Sequence, residues 1–161
     1  MFESMTPAYE KVIELLNDSG FPFTLHSHEP VQTIEDAERK AKHLTHNLLK
    51  TVVFRIKNSH WILAAVLGSD RIDYKRLGEA FGVKRTELRS VSPEEVEREL
   101  GFEVGGVGPF PVSENIAVVI DEKLVGIDRI FCGSGVNTRT VEMRLDDLVS
   151  VSRARVQPIT R

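Results

Sequence analysis

Gly101-Phe102-Glu103-Val104-Gly105-Gly106-Val107-Gly108-Pro109-Phe110-Pro111 is the stretch around which the rest of this chain is organised. It gathers four of the 11 glycines and two of the 7 prolines, so it marks a loop and not a helix or strand. Glycines let another backbone or a ligand approach closely, and Pro109 then stiffens the chain and drives its predecessor toward extended geometry. A loop that bends and then becomes rigid can aim N–H groups into a concavity and hold an anion or a polarised carbonyl there. It can equally serve as a plain connector between a helix and a strand. The residues of the loop alone leave both readings open.

Upstream, Ser92-Pro93-Glu94-Glu95 supplies an N-cap, a first-turn proline and a capping-box glutamate, so a helix runs to about Leu100 and delivers the chain into the loop. Earlier still, Thr6-Pro7 opens a helix with the apolar stripe Tyr9, Val12, Ile13, Leu16, closed by Gly20. Phe21 to His26 reads as a strand. Thr33-Ile34-Glu35-Asp36 starts a second helix, to about Lys42. Leu48 to Ile56 and Trp61 to Leu67 are strands joined by Lys57-Asn58-Ser59. Both are apolar on both faces, which places them centrally in a sheet. Asp73 caps a helix ended by Gly82, and a short strand follows near Thr86 to Ser90. Downstream come strands at Ile116–Ile120, Ile127–Cys132 and Thr140–Met143, and a helix at Asp146–Val151. Gly133-Ser134-Gly135-Val136-Asn137-Thr138 is a second glycine-bearing loop, and the tail with Arg153, Arg155 and Arg161 reads as loosely held. Helices and strands interleave irregularly, with hairpins among them and no repeat or linker. The expected fold is therefore a single mixed α/β (α+β) domain over residues 1–161, with a mixed sheet flanked by helices.

The totals exclude several classes. With 161 residues and 41% hydrophobic content the chain can build one core, and no apolar run approaches the length of a bilayer span. Met1-Phe2-Glu3-Ser4-Met5 lacks the basic and apolar regions of a secretory signal. A single cysteine, Cys132, excludes an internal disulfide and fits a reducing cytoplasm. Net charge is −3, yet residues 39–89 carry 12 Lys/Arg against 4 Asp/Glu, a local basic excess that suits a phosphate-bearing partner or a set of solvated faces.

Three kinds of side chain invite chemistry. Lys50 interrupts an apolar strand, where a buried ammonium needs an anionic partner; a lysine at a strand mouth could meet a phosphate or carboxylate, or simply lay its stem over apolar neighbours. Cys132 has no local histidine to make it a nucleophile and reads as core packing. His26 with His28, and His43 with His46, share element faces, but nothing completes a metal site and none is expected. No phosphate loop, dinucleotide fingerprint or nucleophile elbow is present.

Taken together, Lys50 on its strand, the Gly101–x–x–x–Gly105-Gly106–x–x–Pro109 arrangement and the late Gly133-Ser134-Gly135 loop resemble the YbaK/EbsC family, relatives of the editing insertion of bacterial prolyl-tRNA synthetase. The resemblance runs from about Thr6 to Val151. It implies a free-standing aminoacyl-tRNA deacylase without a cofactor, acting in the cytoplasm on the acceptor end of a charged tRNA, most often tRNA for proline, with prolyl-tRNA synthetase as a candidate partner. It assigns Lys50 to the terminal adenosine and its phosphate, and Gly105, Gly106, Val107, Gly108 and Pro109 to the loop that holds the aminoacyl end. It further implies a pocket drawn from His28, Thr33, Phe110, Asp121, Gly133, Ser134, Gly135, Asn137, Thr138 and Thr140. Relatives specialised for cysteine carry Thr-Gly where this chain has Leu100-Gly101, and an aspartate near the place of Thr140. The stretch Asn137-Thr138-Arg139-Thr140 is closer in character to relatives that remove alanine. The bottom-up chemistry agrees: an ester is already activated, so positioning and N–H donors suffice, with water or a substrate group as nucleophile. Two other classes stay open, a non-catalytic module that binds a tRNA end or nucleotide, and a thiol hydrolase using Cys132.

Overall fold

A computed structural model of the chain describes residues 6–161; the reading of Met1–Met5 lies outside the described residues. Local chemistry sets most element boundaries. Helix α1 (Pro7–Ser19) starts at Thr6, whose hydroxyl accepts from Tyr9 N at 3.1 Å, and stops at Gly20. Strand β1 is Phe23–Ser27. It begins two residues later than the sequence suggests because Pro22 has no N–H to give a ladder. Helix α2 (Ile34–Lys40) is capped by Thr33 and gives way to a 3-10 turn at Lys42–Leu44, short of its expected end. Strands β2 (Leu49–Ile56) and β3 (Trp61–Leu67) form the expected hairpin, and α3 (Tyr74–Phe81) follows from its Asp73 cap. Arg85–Glu87 is a 3-10 turn, so only Leu88–Ser90 remains as β4. Helix α4 (Pro93–Leu100) has Ser92 as N-cap and Gly101 as its left-handed stop. Then come β5 (Ile116–Asp121), β6 (Arg129–Gly133), β7 (Arg139–Arg144), α5 (Leu145–Ser152) and β8 (Arg155–Gln157).

The strands divide into two sheets. The larger is mixed, in the order β4-β2-β3-β5-β8, with β3–β5 and β5–β8 parallel. The smaller is antiparallel, in the order β1-β7-β6. They touch where Phe131 N donates to Asn47 O at 3.1 Å, beside a single bridge between Leu48 and Phe131. The mixed α+β fold with flanking helices is as expected; its division between two sheets is additional.

The two-sided apolarity of β2 and β3 has a direct cause. Leu49, Val53, Trp61, Leu63 and Ala65 face one core, which they share with Ile130, Cys132, Val141 and Met143 of the small sheet and with Val12 and Leu16 of α1. Phe54, Ile56, Ile62, Ala64 and Val66 face a second core with Leu77 of α3 and Ile159. Alternation along a strand sends successive side chains to opposite faces, so both phases must be apolar when both faces are covered. No described helix is long and apolar enough to cross a membrane.

The C-terminal segment corrects the expectation of a loose tail. β8 adds to the sheet edge along β5, and beyond it Ile159 and Thr160 are fully buried. Asp121 holds them there. Its carboxylate, itself buried, accepts from Ile159 N at 3.2 Å and from the Thr160 hydroxyl at 2.8 Å. Removing the acceptor would leave two buried donors without partners, at roughly 1–3 kcal/mol each. Asp121→Ala is therefore expected to lower unfolding free energy by about 3 kcal/mol, and Thr160→Val by about 1 kcal/mol, both read from urea midpoints.

Candidate functional site

Three stretches of backbone meet beside the open part of β2: residues 28–33, the loop 101–111 and the loop 133–138. They meet more closely than side chains would allow. A Cβ on Gly108 would lie 2.0 Å from Gly133 O, and one on Gly133 would lie 2.1 Å from Val107 O. A Cβ on Gly105 would strike Val31 O at 2.2 Å, and one on Gly106 would strike the backbone of Val136. The glycines serve mainly to let main chains lie against one another. Hydrogen bonds then lock the loops: Glu103 N donates to Gly135 O, Gly135 N to Gly106 O, and Gly106 N to Glu103 O, at 2.7–2.9 Å. Glu103 also accepts from Asn137 N at 2.7 Å, while Asn137 Nδ2 donates to Val104 O at 2.9 Å. The third stretch is pinned by His28 N to Thr138 O and by Val31 N to Asn137 O.

Among the described residues, no acceptor takes the N–H of Gly105, Val107 or Gly108. Gly105 and Val107 line a cavity of about 470 Å³, with Lys50, His28, Asn137, Thr140 and the β2 segment 48–53. Valines, leucines, alanines and an isoleucine make much of its wall, including Ile34 and Ala37 of α2 and Val96 of α4. A largely apolar concavity with unpaired donors at its edge is suited to stabilising a developing negative charge on a carbonyl oxygen.

The polar side chains of the cavity have defined orientations. His28 Nδ1 lies 2.7 Å from Glu29 O, so that nitrogen carries the proton; in the neutral ring Nε2 accepts from the Thr140 hydroxyl at 2.8 Å. Arg139 donates to the Tyr9 hydroxyl at 2.9 Å and lies over its ring. Lys50 stands on the opposite face of β2 from the main core, and its Nζ donates to Asp70 O at 2.9 Å. Two of its three N–H donors remain for a ligand anion. Thr33 reaches the cavity rim, although its hydroxyl is engaged in capping α2. Thr51 Oγ1 is buried with no partner, a state that costs roughly 1–3 kcal/mol.

Of the residues expected at the site, the cavity wall gathers Lys50, His28, Thr33, Gly105, Val107, Gly133, Asn137 and Thr140. The others stand behind it or elsewhere. Gly106, Gly108 and Gly135 make the interloop contacts described above, and Gly135 also abuts the backbone of Tyr9. Thr138 contributes its carbonyl to His28 N, and Pro109 stiffens the turn. Ser134 is buried and donates to Arg139 O at 2.7 Å, bracing its own loop. Phe110 is corrected to a core residue with no exposed surface, and Asp121 to the clamp on the C-terminal tail. Cys132 is fully buried, and desolvation pushes its thiol well above the ordinary range, which removes the thiolate a nucleophile needs. Sequence reasoning passed over Thr51, Arg139 and Glu103. For Thr51 a signal existed: a hydroxyl stands between Leu49 and Val53 on a face that is otherwise apolar.

Residues 28–151 match the family described as aminoacyl-tRNA editing domain. The chain is 28% identical over 152 residues to the prolyl-tRNA editing protein ProX of Acetoanaerobium sticklandii, covering 91% of this chain and 92% of that one. It is 28% identical over 108 residues to proline--tRNA ligase of a Geobacillus species, covering 66% of this chain but 18% of the ligase. A crystal structure of a candidate trans-editing enzyme for prolyl tRNA synthetase superimposes with a TM-score of 0.80 at 24% identity, covering 98% of this chain and 99% of that one.

The interloop contact makes a stability prediction. Gly108→Ala places a methyl into the Gly133 carbonyl, backbone against backbone, and should cost about 3 kcal/mol or more. Gly82→Ala, at φ 66° in open space, should cost only about 1 kcal/mol. Urea unfolding of both variants compares the two costs directly.

Proposed function

This chain belongs to the aminoacyl-tRNA editing domain family, and from that footing we propose that it is a free-standing hydrolase that deacylates mischarged aminoacyl-tRNA. The proposed substrate is tRNA for proline carrying a small amino acid such as alanine or cysteine. The cytoplasm is the proposed setting, with prolyl-tRNA synthetase a candidate partner. One observation carries the reading most directly: the unpaired N–H groups of the Gly105–Gly108 turn, two of whose residues line the same cavity as Lys50.

In the proposed reaction, water adds to the ester carbonyl and the carbon–oxygen double bond becomes an alkoxide. The N–H groups of Gly105, Val107 and Gly108 are the candidate donors to that oxygen. Because the loops are locked to each other, these donors need little reorganisation as charge develops. The tetrahedral intermediate then collapses to the free acid, breaking the bond to the ribose oxygen, which leaves as the hydroxyl by taking up the proton given up by the attacking water. Lys50 supplies a cation for the phosphate or ribose end. His28 holds the Thr140 hydroxyl in a fixed orientation at the cavity wall. No thiolate is required, in keeping with the buried Cys132. The apolar wall selects by size, and such walls separate near-isosteres by only about 1–3 kcal/mol. A small side chain is therefore discriminated from a larger one better than from its near neighbours.

A panel of alanyl-, cysteinyl- and seryl-tRNA, each followed by release of the free amino acid, tests this reading. At least one should be hydrolysed well above buffer. Lys50→Ala should lower kcat/KM by about tenfold or more, and Cys132→Ser should leave it within about threefold. Lys50-dependent binding of every substrate without turnover would favour a recognition module over an enzyme.

A further inference from the structure

Glu103-Val104-Gly105-Gly106 is a β-turn, closed by Gly106 N donating to Glu103 O at 2.7 Å. Gly105, its third residue, has φ 85°, while Val104 keeps a negative φ. That combination is a type II turn. A type I turn joins the same residues with its central peptide rotated by about half a turn, and needs a negative φ at the third position. Glycine takes either sign at little cost, so Gly105 does not by itself choose between the two. Nor can a side chain at this position choose, since a Cβ on Gly105 would strike Val31 O.

The peptides on either side are fastened. Val104 N donates to Glu97 Oε1 at 2.9 Å, and Gly106 N closes the turn. The central peptide, Val104 C=O with Gly105 N–H, makes one hydrogen bond among the described residues: Val104 O accepts from Asn137 Nδ2 at 2.9 Å. The neighbouring loop thus acts on this peptide through one side chain. Asn137 is itself held firmly. Its N–H donates to Glu103 Oε1 at 2.7 Å, its C=O accepts from Val31 N at 2.9 Å, and the residue is 9% exposed. Its amide must face Val104 O with the nitrogen, because the oxygen there would set two acceptors against each other.

In a trans peptide the N–H points opposite to the C=O, so the partner of Val104 O also sets the direction of Gly105 N–H. A donor on the carbonyl further polarises that N–H. Gly105 lines the cavity. On the deacylase reading, on which this inference rests, its N–H is a candidate donor to the developing alkoxide. We propose that Asn137 is a positioning residue for that reaction: its side-chain amide selects the type II orientation and so presents Gly105 N–H, and not Val104 C=O, to the reacting oxygen. The opposite orientation sets a carbonyl dipole against the alkoxide. The ester oxygen of the bound substrate carries far less charge than the alkoxide, so the effect falls on the chemical step more than on binding.

Asn137→Ala removes the donor, and the isosteric Asn137→Asp replaces it with a carboxylate oxygen that repels Val104 O. On whichever of alanyl-, cysteinyl- and seryl-tRNA the unaltered chain hydrolyses, Asn137→Ala should lower kcat by about tenfold or more with KM within about twofold, and Asn137→Asp should lower kcat at least as far. In isotope-labelled protein the Gly105 amide resonance should shift or broaden in both variants as the central peptide leaves its single orientation, while the resonances of β3 stay in place and report an intact fold. An unchanged kcat, a loss confined to KM, or a Gly105 resonance unchanged in position and width would overturn the assignment. Hydrolysis of none of the three tRNAs by the unaltered chain would sink the deacylase reading, and the Gly105 resonance would then decide alone whether Asn137 sets the peptide.

Discussion

The contact between the Gly105–Gly108 turn and the Gly133–Val136 turn is the constraint on which the rest of the site depends. Two main chains approach until a single methyl at Gly108 or Gly133 would overlap a carbonyl. Such closeness has two consequences. It excludes water between the loops, which strengthens the hydrogen bonds that lock them. It also fixes the direction of every N–H in the turn, because main chain packed on main chain has no side-chain rotamers through which to relax. A donor group made of backbone is then as rigid as the core that supports it. Phe102 and Phe110, both without exposed surface, anchor the two ends of the glycine stretch in that core.

The second loop is held from further away. β7 carries the chain from this loop back through the small sheet, and Glu142 on β7 ties that sheet together. Its carboxylate lies 2.8 Å from His26 Nε2 of β1 and 3.0 Å from Arg129 Nε of β6. The hydrogen bond from His26, followed by that from Arg129, holds the Glu142 carboxyl below the usual carboxylate range. The lowered value means that the contribution is present above the unfolded value and fades as pH falls through the folded one. One carboxylate thus fastens all three strands of the sheet that carries Thr140 on β7 and ends, at β1, just before His28.

How much of this could be seen in the residues follows the range of the interactions. Caps are local, so Thr6, Thr33, Asp73 and Ser92 announced their helices within a few positions. Apolarity on both phases of β2 and β3 announced a strand pair covered on both faces. The split into two sheets was not legible, because β1 pairs with β7 across more than a hundred residues and no local pattern encodes that partner. The tail escaped for a similar reason. Arg155-Val156-Gln157 has too little apolar content to mark a strand, and its burial depends on Asp121, far away in sequence. The glycine turn was legible as a turn, and Lys50 as a misplaced cation. What remained hidden was the distinction between glycines that face a ligand and glycines that face another backbone, since both demand the absence of a Cβ.

That ambiguity bears on how such a site can persist while sequences drift to identities near 28%. A triad built from side chains fails when any one identity changes. A site built from main-chain donors asks of its loop residues only that certain positions lack a Cβ and that the flanking anchors stay apolar. Apart from Asn137, which bonds the turn directly, side chains can then change along the cavity wall from α2 to Thr140 without disturbing the N–H groups of the turn. Packing and geometry place the same demand on Gly108 and Gly133, because the contact that packs the loops also sets the direction of the N–H groups in the turn.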